Sequence, residues 1–177
     1  QIQQFPPNRG DITLAEFAEN YNYFCKYLDV NEGWYMDENG QLVEKPSHGN
    51  VITIDVDDGP MDFKYEIEDG YLTGVSISHE VENEKVFTMN EEEEEKILII
   101  LAFGCTDEDV GPFINNPRSI LDRVIGNYYS SNICIGNCSY VSNVEQEGYE
   151  DYGSMLMPKE GAEKAHYKME FSVTKVS

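Results

Sequence analysis

The chain has 177 residues, of which 34 are acidic and 12 are basic, so its formal net charge is −22. A surface this acidic repels phosphate backbones and anionic lipids, which argues against nucleic acid and acidic membranes as partners. The apolar fraction of 40% is sufficient for a hydrophobic core. The longest apolar run, Ile97 to Phe103, is far shorter than the roughly twenty residues that span a bilayer. No transmembrane segment is therefore predicted.

The first ten residues, QIQQFPPNRG, are polar. They predict an extended N-terminal lead over residues 1–10, followed by a single α+β domain over residues 11–177. The chain starts at Gln1 rather than at a methionine. This favours a mature or trimmed chain whose signal segment has been removed, so we expect an extracellular or cell-surface protein.

The first predicted element is a helix. Thr13 and Glu16 have the spacing of a capping box, and Ile12 can pack against Phe17 as a hydrophobic staple. Apolar residues then recur with helical spacing as far as Leu28, where the polar sequence DVNEG begins.

Strands are predicted in two parts of the chain, one in its first half and one near its C-terminus. Three runs of alternating apolar residues between positions 52 and 81 predict a β-meander. Asp69–Gly70 is a strong two-residue hairpin turn between the second and third of these strands. Segments 149–157 and 165–176 predict a C-terminal hairpin. His79 lies on the apolar face of the third strand, and we interpret it as a packed strand residue.

Two further helices are predicted between these strands. The segment MNEEEEEKILIILAFGC begins with Asn90 as its cap and places five glutamates at the positive end of the helix dipole. Neighbouring glutamates point around a helix axis, so we expect a solvated first turn. Another helix is predicted from Asn116–Pro117 through Ile125. The fold prediction is therefore an antiparallel β-sheet (meander plus C-terminal hairpin) with about three helices packed on one face.

Four cysteines permit three disulfide pairings, and the sequence does not choose between them: Cys25, Cys105, Cys134 and Cys138. If Gly136–Asn137 is a two-residue turn, Cys138 pairs opposite Ile135 and Cys134 falls on the other face. A disulfide between these two would then be strained. The CxxxC spacing also differs from redox and zinc motifs, so we expect structural cysteines.

The stretch TIDVDDGPMDFKYE, residues 53–66, resembles a calcium loop in composition. Counted from Asp55, however, positions 5 and 6 of an EF-hand fall on Gly59 and Pro60, so a ligand and the glycine turn are missing. We therefore reject an EF-hand, and ordinary turn chemistry is the simpler interpretation. The alternative is a looser calcium site at a hairpin tip, formed by Asp57, Asp58 and Asp62.

The sequence contains no catalytic motif of the nucleophile-elbow, zinc-protease, P-loop or dinucleotide-binding types. Its three histidines are far apart: His48, His79 and His166. Cys105 or Cys138 could meet His48 in space, but no local pattern supports such a pair. We therefore do not expect an enzyme. A small hydrolase of unrecognised type is kept as a third hypothesis, after a binding domain and a calcium-dependent module.

Aromatic residues in polar, turn-rich segments are a better functional signal. NYYSSN and EGYEDYGS are such segments, and exposed tyrosines suit recognition of a protein or a glycan. The alternative is that these rings pack across strand edges. The predicted binding residues are Trp34, Tyr35, Tyr128, Tyr129, Tyr149 and Tyr152.

The segment ITLAEFAENYNYF, followed by the acidic meander and the closing hairpin, resembles the extracellular portions of uncharacterised lipoproteins from Gram-positive gut bacteria. This resemblance is one of style over most of the chain, and it carries over no site residue. It implies a secreted, cell-envelope location and, for a tethered protein, a lipid anchor on the precursor. We therefore expect a non-catalytic binding domain that recognises a protein or carbohydrate through an acidic, tyrosine-bearing surface. A calcium-dependent envelope module is the alternative.

Overall fold

A computed structural model describes residues 11–29, 33–45, 61–82, 87–88, 90–103, 130–135, 137–152, 155–160 and 164–176. Within these ranges the chain forms two helices and ten strands, and the strands pair antiparallel in three sheets. The helices are α1 (Leu14–Leu28) and α2 (Asn90–Phe103). The strands are β1 (Trp34–Met36), β2 (Leu42–Glu44), β3 (Asp62–Glu68), β4 (Tyr71–Glu82), β5 (Phe87–Thr88), β6 (Ser130–Ile135), β7 (Cys138–Glu147), β8 (Tyr149–Asp151), β9 (Met155–Pro158) and β10 (His166–Lys175). The predicted α+β class is confirmed.

Helix α1 begins with the predicted capping box. The Thr13 hydroxyl accepts a hydrogen bond from the Glu16 N–H, and the Thr13 N–H donates to the Glu16 carboxylate, each at 3.1 Å. Ile12 and Phe17, the predicted staple pair, are fully buried. The helix ends at Asp29, whose left-handed backbone (φ 55°) donates to carbonyls of the last turn.

The main sheet has five strands in the order β3–β4–β10–β7–β6. Buried and exposed residues alternate along β7 and β10, so one face of the sheet is enclosed and the other is solvated. Helix α1 contacts β4, helix α2 contacts β10, and the two helices contact each other. The core therefore lies between the inner face of this sheet and the two helices.

The turn between β3 and β4 has the predicted chemistry. Asp69 and Gly70 both have positive φ, at 53° and 84°, which is the conformation that a type I′ hairpin turn requires. The hairpin positions the long strand β4 so that His79 lies on the buried face, as expected for a packed strand residue.

The C-terminal strands form where they were predicted, but they pair with different neighbours. Strand β10 lies at the centre of the main sheet, between β4 and β7. The segment at 149–157 instead contributes β8 and β9 to a three-stranded sheet with β5. The inward side chains of β10 are apolar along its whole length. A strand of this kind buries the most apolar surface when another strand pairs with it on each side.

The cysteine register is confirmed. Cys138 lies directly opposite Ile135 in the β6–β7 pair. Cys138 is buried and Cys134 is exposed, so their side chains project from opposite faces of the sheet.

Some predictions fall outside the described residues, among them the lead at 1–10, the first meander strand at 52–56, the helix at 116–125 and Cys105. Two helices, rather than about three, are thus present in the described ranges. Neither of them combines the length and the apolar character needed to cross a membrane.

Candidate functional site

Two tyrosines stack on α1 at the edge of the core, where Tyr27 is exposed and Tyr23 is partly buried. Tyr23 and Tyr27 are one turn apart, their ring centroids are 6.4 Å apart and their planes differ by 9°. Tyr27 is 44% exposed, and burial together with the nearby Tyr27 raises the pKa of Tyr23. Glu16 and Glu19 precede the rings at helical spacing on the same side. We call these four residues the tyrosine stripe.

Asn22 of α1 forms two hydrogen bonds with the backbone of strand β1. The Asn22 amide donates to the Trp34 carbonyl, and the Trp34 N–H donates to Asn22 Oδ1, both at 2.7 Å. Gly33 makes this contact feasible, because a Cβ at that position would lie 1.9 Å from Asn22 Oδ1. Strand β1, positioned by these hydrogen bonds, carries Tyr35, which is 44% exposed.

The structure separates the predicted aromatic residues into two groups. Tyr35 and Tyr152 are on the surface, and Tyr152 is 59% exposed. Trp34 and Tyr149 are core residues, because each opens a short strand on its inward side. The remaining two lie outside the described residues: Tyr128 and Tyr129.

Tyr23 and Tyr27 were not among the predicted binding residues, although the sequence of α1 contains a signal for them. The apolar stripe of α1 runs through Phe17, Tyr21 and Phe24. Positions 23 and 27 lie off that stripe on a helical projection, which predicts rings outside the centre of the core.

The calcium prediction is only partly covered by the structure. Asp62 is the exposed first residue of β3, whereas Asp57 and Asp58 lie outside the described residues. Within the described part of the chain, no group of three or more His, Cys, Asp or Glu side chains is arranged to hold a metal ion. The hairpin-tip site therefore stays a prediction.

The glutamates of α2 require a correction. We expected a solvated first turn, but Glu92, Glu93, Glu95 and the adjacent Lys96 are only 2% to 9% exposed. Helix α2 contacts both α1 and β10. The expectation was wrong because a helix with partners on two sides has no wide solvated face.

Glu92 connects α2 to two strands of the main sheet. The Tyr167 hydroxyl donates to Glu92 Oε2 at 2.5 Å, and Nδ1 of His79 hydrogen-bonds to Glu92 Oε1. His79 belongs to β4 and Tyr167 to β10, and their rings meet edge to face at 6.4 Å. Both carboxylate oxygens therefore have partners, as a buried carboxylate requires.

Glu95 connects α2 to α1. The Tyr21 hydroxyl lies 2.7 Å from each oxygen of the Glu95 carboxyl group. Burial raises the pKa of Glu95 to about 7, against the lowering effect of the Tyr21 hydrogen bond, while the nearby Glu44 and Glu94 add to the rise. A neutral Glu95 is thus favoured in weakly acidic solution.

These buried contacts hold α2 against the main sheet and α1. Glu92, His79 and Tyr167 are each at most 6% exposed. We therefore interpret their hydrogen bonds as contacts that fix the position of α2. The surface group best suited to recognition is the tyrosine stripe.

Comparison with known proteins adds no further assignment. No protein-family model, curated protein or solved structure matches this chain. The residues of the chain itself are therefore the basis for its proposed function.

Proposed function

We propose that the chain is a non-catalytic, extracellular or cell-envelope binding domain that recognises a protein or a carbohydrate through an acidic surface bearing tyrosines. The observation that supports this most is the tyrosine stripe, where two stacked rings lie beside Glu16 and Glu19 on one helix. Tyrosine supplies a large rigid contact area and a polar tip at low entropic cost.

The rigidity of α1 supports the same proposal. Its first turn is closed by the Thr13–Glu16 capping box, and its opposite side is buried in the core. The rings of Tyr23 and Tyr27 are therefore presented on a fixed scaffold, which reduces the entropy lost on binding. The net charge of −22 favours neutral or basic partners over acidic ones.

The test begins with wild-type protein on an array of neutral and acidic glycans and on a panel of basic and acidic peptides. Binders are then titrated against a Tyr23→Ala/Tyr27→Ala double variant. We expect affinity to fall by about tenfold or more, because aromatic anchors carry much of the binding energy at interfaces.

Tyr71→Ala is the matched control, because Tyr71 is 47% exposed at the start of β4 and is not part of the stripe. This control should keep wild-type affinity. Equal affinity of the double variant and the wild type would show that the stripe is not the binding surface.

A further inference from the structure

Three hydroxyl groups are enclosed under the β6–β7 side of the main sheet. The side-chain oxygens of Ser131, Tyr140 and Ser142 make no hydrogen bond within the described part of the chain. Ser131 lies directly opposite Ser142, and Tyr140 is two residues from Ser142 on the same strand. All three side chains therefore project from the inner face and are close neighbours.

Lys96 of α2 reaches the same region. Its ammonium nitrogen lies 6.0 Å from the ring centroid of Phe171, and Phe171 is directly opposite Ser142 in the β10–β7 pair. Lys96 is only 6% exposed. Among the described residues no carboxylate lies within ion-pair distance of it.

The four groups share one chemical property, which is that each can donate a hydrogen bond. Burial raises the pKa of Tyr140, so its hydroxyl keeps its proton. Burial lowers the pKa of Lys96, and the nearby Glu92 and Glu93 offset this lowering only in part. Buried donors without acceptors are costly, and a buried ammonium is stabilised by an anion.

The complementary ligand is a small anion with several acceptor oxygens. Glu92 and Glu93 are close enough to act on Lys96 electrostatically, so a doubly charged anion would be repelled more strongly than a singly charged one. A monovalent carboxylate therefore fits this environment better than a phosphate dianion.

We propose that Lys96, Ser131, Tyr140 and Ser142 form a binding site for the carboxylate group of a small ligand, between α2 and the inner face of β6 and β7. The carboxylate accepts hydrogen bonds from the ammonium group and the hydroxyls. The site shares no residue with the tyrosine stripe, so it stands or fails independently of the proposed binding function.

The experiment compares thermal melts in sodium acetate, sodium chloride and sodium phosphate at matched pH and ionic strength. Acetate should raise the Tm of the wild type by about 2–4 °C relative to chloride, with a saturating dose response, and phosphate should raise it less. The acetate shift should be largely lost in Ser142→Ala and in Tyr140→Phe.

Ser172→Ala is the matched control, because Ser172 lies on the outer face of the neighbouring strand β10. It should keep the full acetate shift. Lys96→Met should lose the shift while Lys168→Met, at an exposed lysine on the outer face, should retain it. If Lys96→Met does not fold, the two hydroxyl variants decide the question.

Three outcomes would overturn the proposal. The first is an acetate shift that is the same in Ser142→Ala as in the wild type, since acetate would then act elsewhere. The second is a larger shift with phosphate than with acetate. The third is a Tm above that of the wild type for both Tyr140→Phe and Ser142→Ala in every salt, acetate included. Removing a buried hydroxyl raises stability when that hydroxyl has no hydrogen-bond partner, so this result would mean that acetate does not bind there.

Discussion

The acidic residues of the two helices lie in opposite environments. In α1, Glu16 closes the capping box and Glu19 is exposed, so acidic residues stay at the end or on the solvent side. In α2, Glu92 and Glu95 point into the core and hydrogen-bond to other elements. The environment of a glutamate therefore depends on how many sides of its helix are covered by other elements.

The buried glutamates of α2 are compatible with a stable core because each has partners. Glu92 is matched by the Tyr167 hydroxyl and the His79 ring, and Glu95 by the Tyr21 hydroxyl. A buried polar network is stabilising only when its members are satisfied. If the buried glutamates of α2 matter more to folding than the glutamates of α1, their substitution should change the free energy of unfolding more.

The largest effect is expected for Glu92→Ala. It leaves the Tyr167 hydroxyl and His79 without their buried acceptor, and we expect the free energy of unfolding to fall by about 3–5 kcal/mol. Urea denaturation with a fixed m-value measures the change. Glu19→Ala on α1 is the control and should change stability by no more than about 0.5 kcal/mol. Equal effects at the two positions would remove the contrast between the helices.

The second effect concerns pH and Glu95. Its pKa is raised from an ordinary 4.5 to about 7 in the folded state. Its stabilising contribution is therefore complete below pH 4.5 and is lost as pH rises through about 7. We expect Glu95→Gln, which is neutral at every pH, to exceed wild-type stability by up to about 3 kcal/mol at pH 8. Near pH 4.5 the two should be similar.

Urea denaturation of the wild type and of Glu95→Gln across this pH range measures the difference directly. Repulsion among the other acidic groups contributes equally to both proteins and cancels. Glu145→Gln, at an exposed position on β7, is the matched control for the loss of one acidic side chain. If Glu95→Gln runs parallel to the wild type across the range, then Glu95 does not titrate as a buried group.

The smallest effect is expected for Thr13→Ala at the start of α1. This change removes the hydroxyl that accepts from the Glu16 N–H, and such caps contribute about 1 kcal/mol to stability. Urea denaturation again measures the loss, and Thr174→Ala on the outer face of β10 is the control. A loss as large as that of Glu92→Ala would mean that α1 also depends on buried polar contacts.

Three features could be predicted because their causes are local. The Thr13–Glu16 box involves residues three apart, the Asp69–Gly70 turn involves two neighbours, and the paired residues Ile135 and Cys138 are also only three apart. The burial of Trp34 and Tyr149 could not be predicted in this way. Both lie in short polar segments, and only their strand partners decide which side faces the core.

Local sequence patterns were enough to predict the α+β class, the start of α1, the β3–β4 hairpin and the alternation of the long strands. These features depend on hydrogen bonds and side-chain periodicities that span only a few residues. The central position of β10 and the burial of the α2 glutamates depend instead on tertiary contacts. The partners of Glu92 come from positions 79 and 167. A carboxylate can leave solvent only after elements far apart in the chain have met around it.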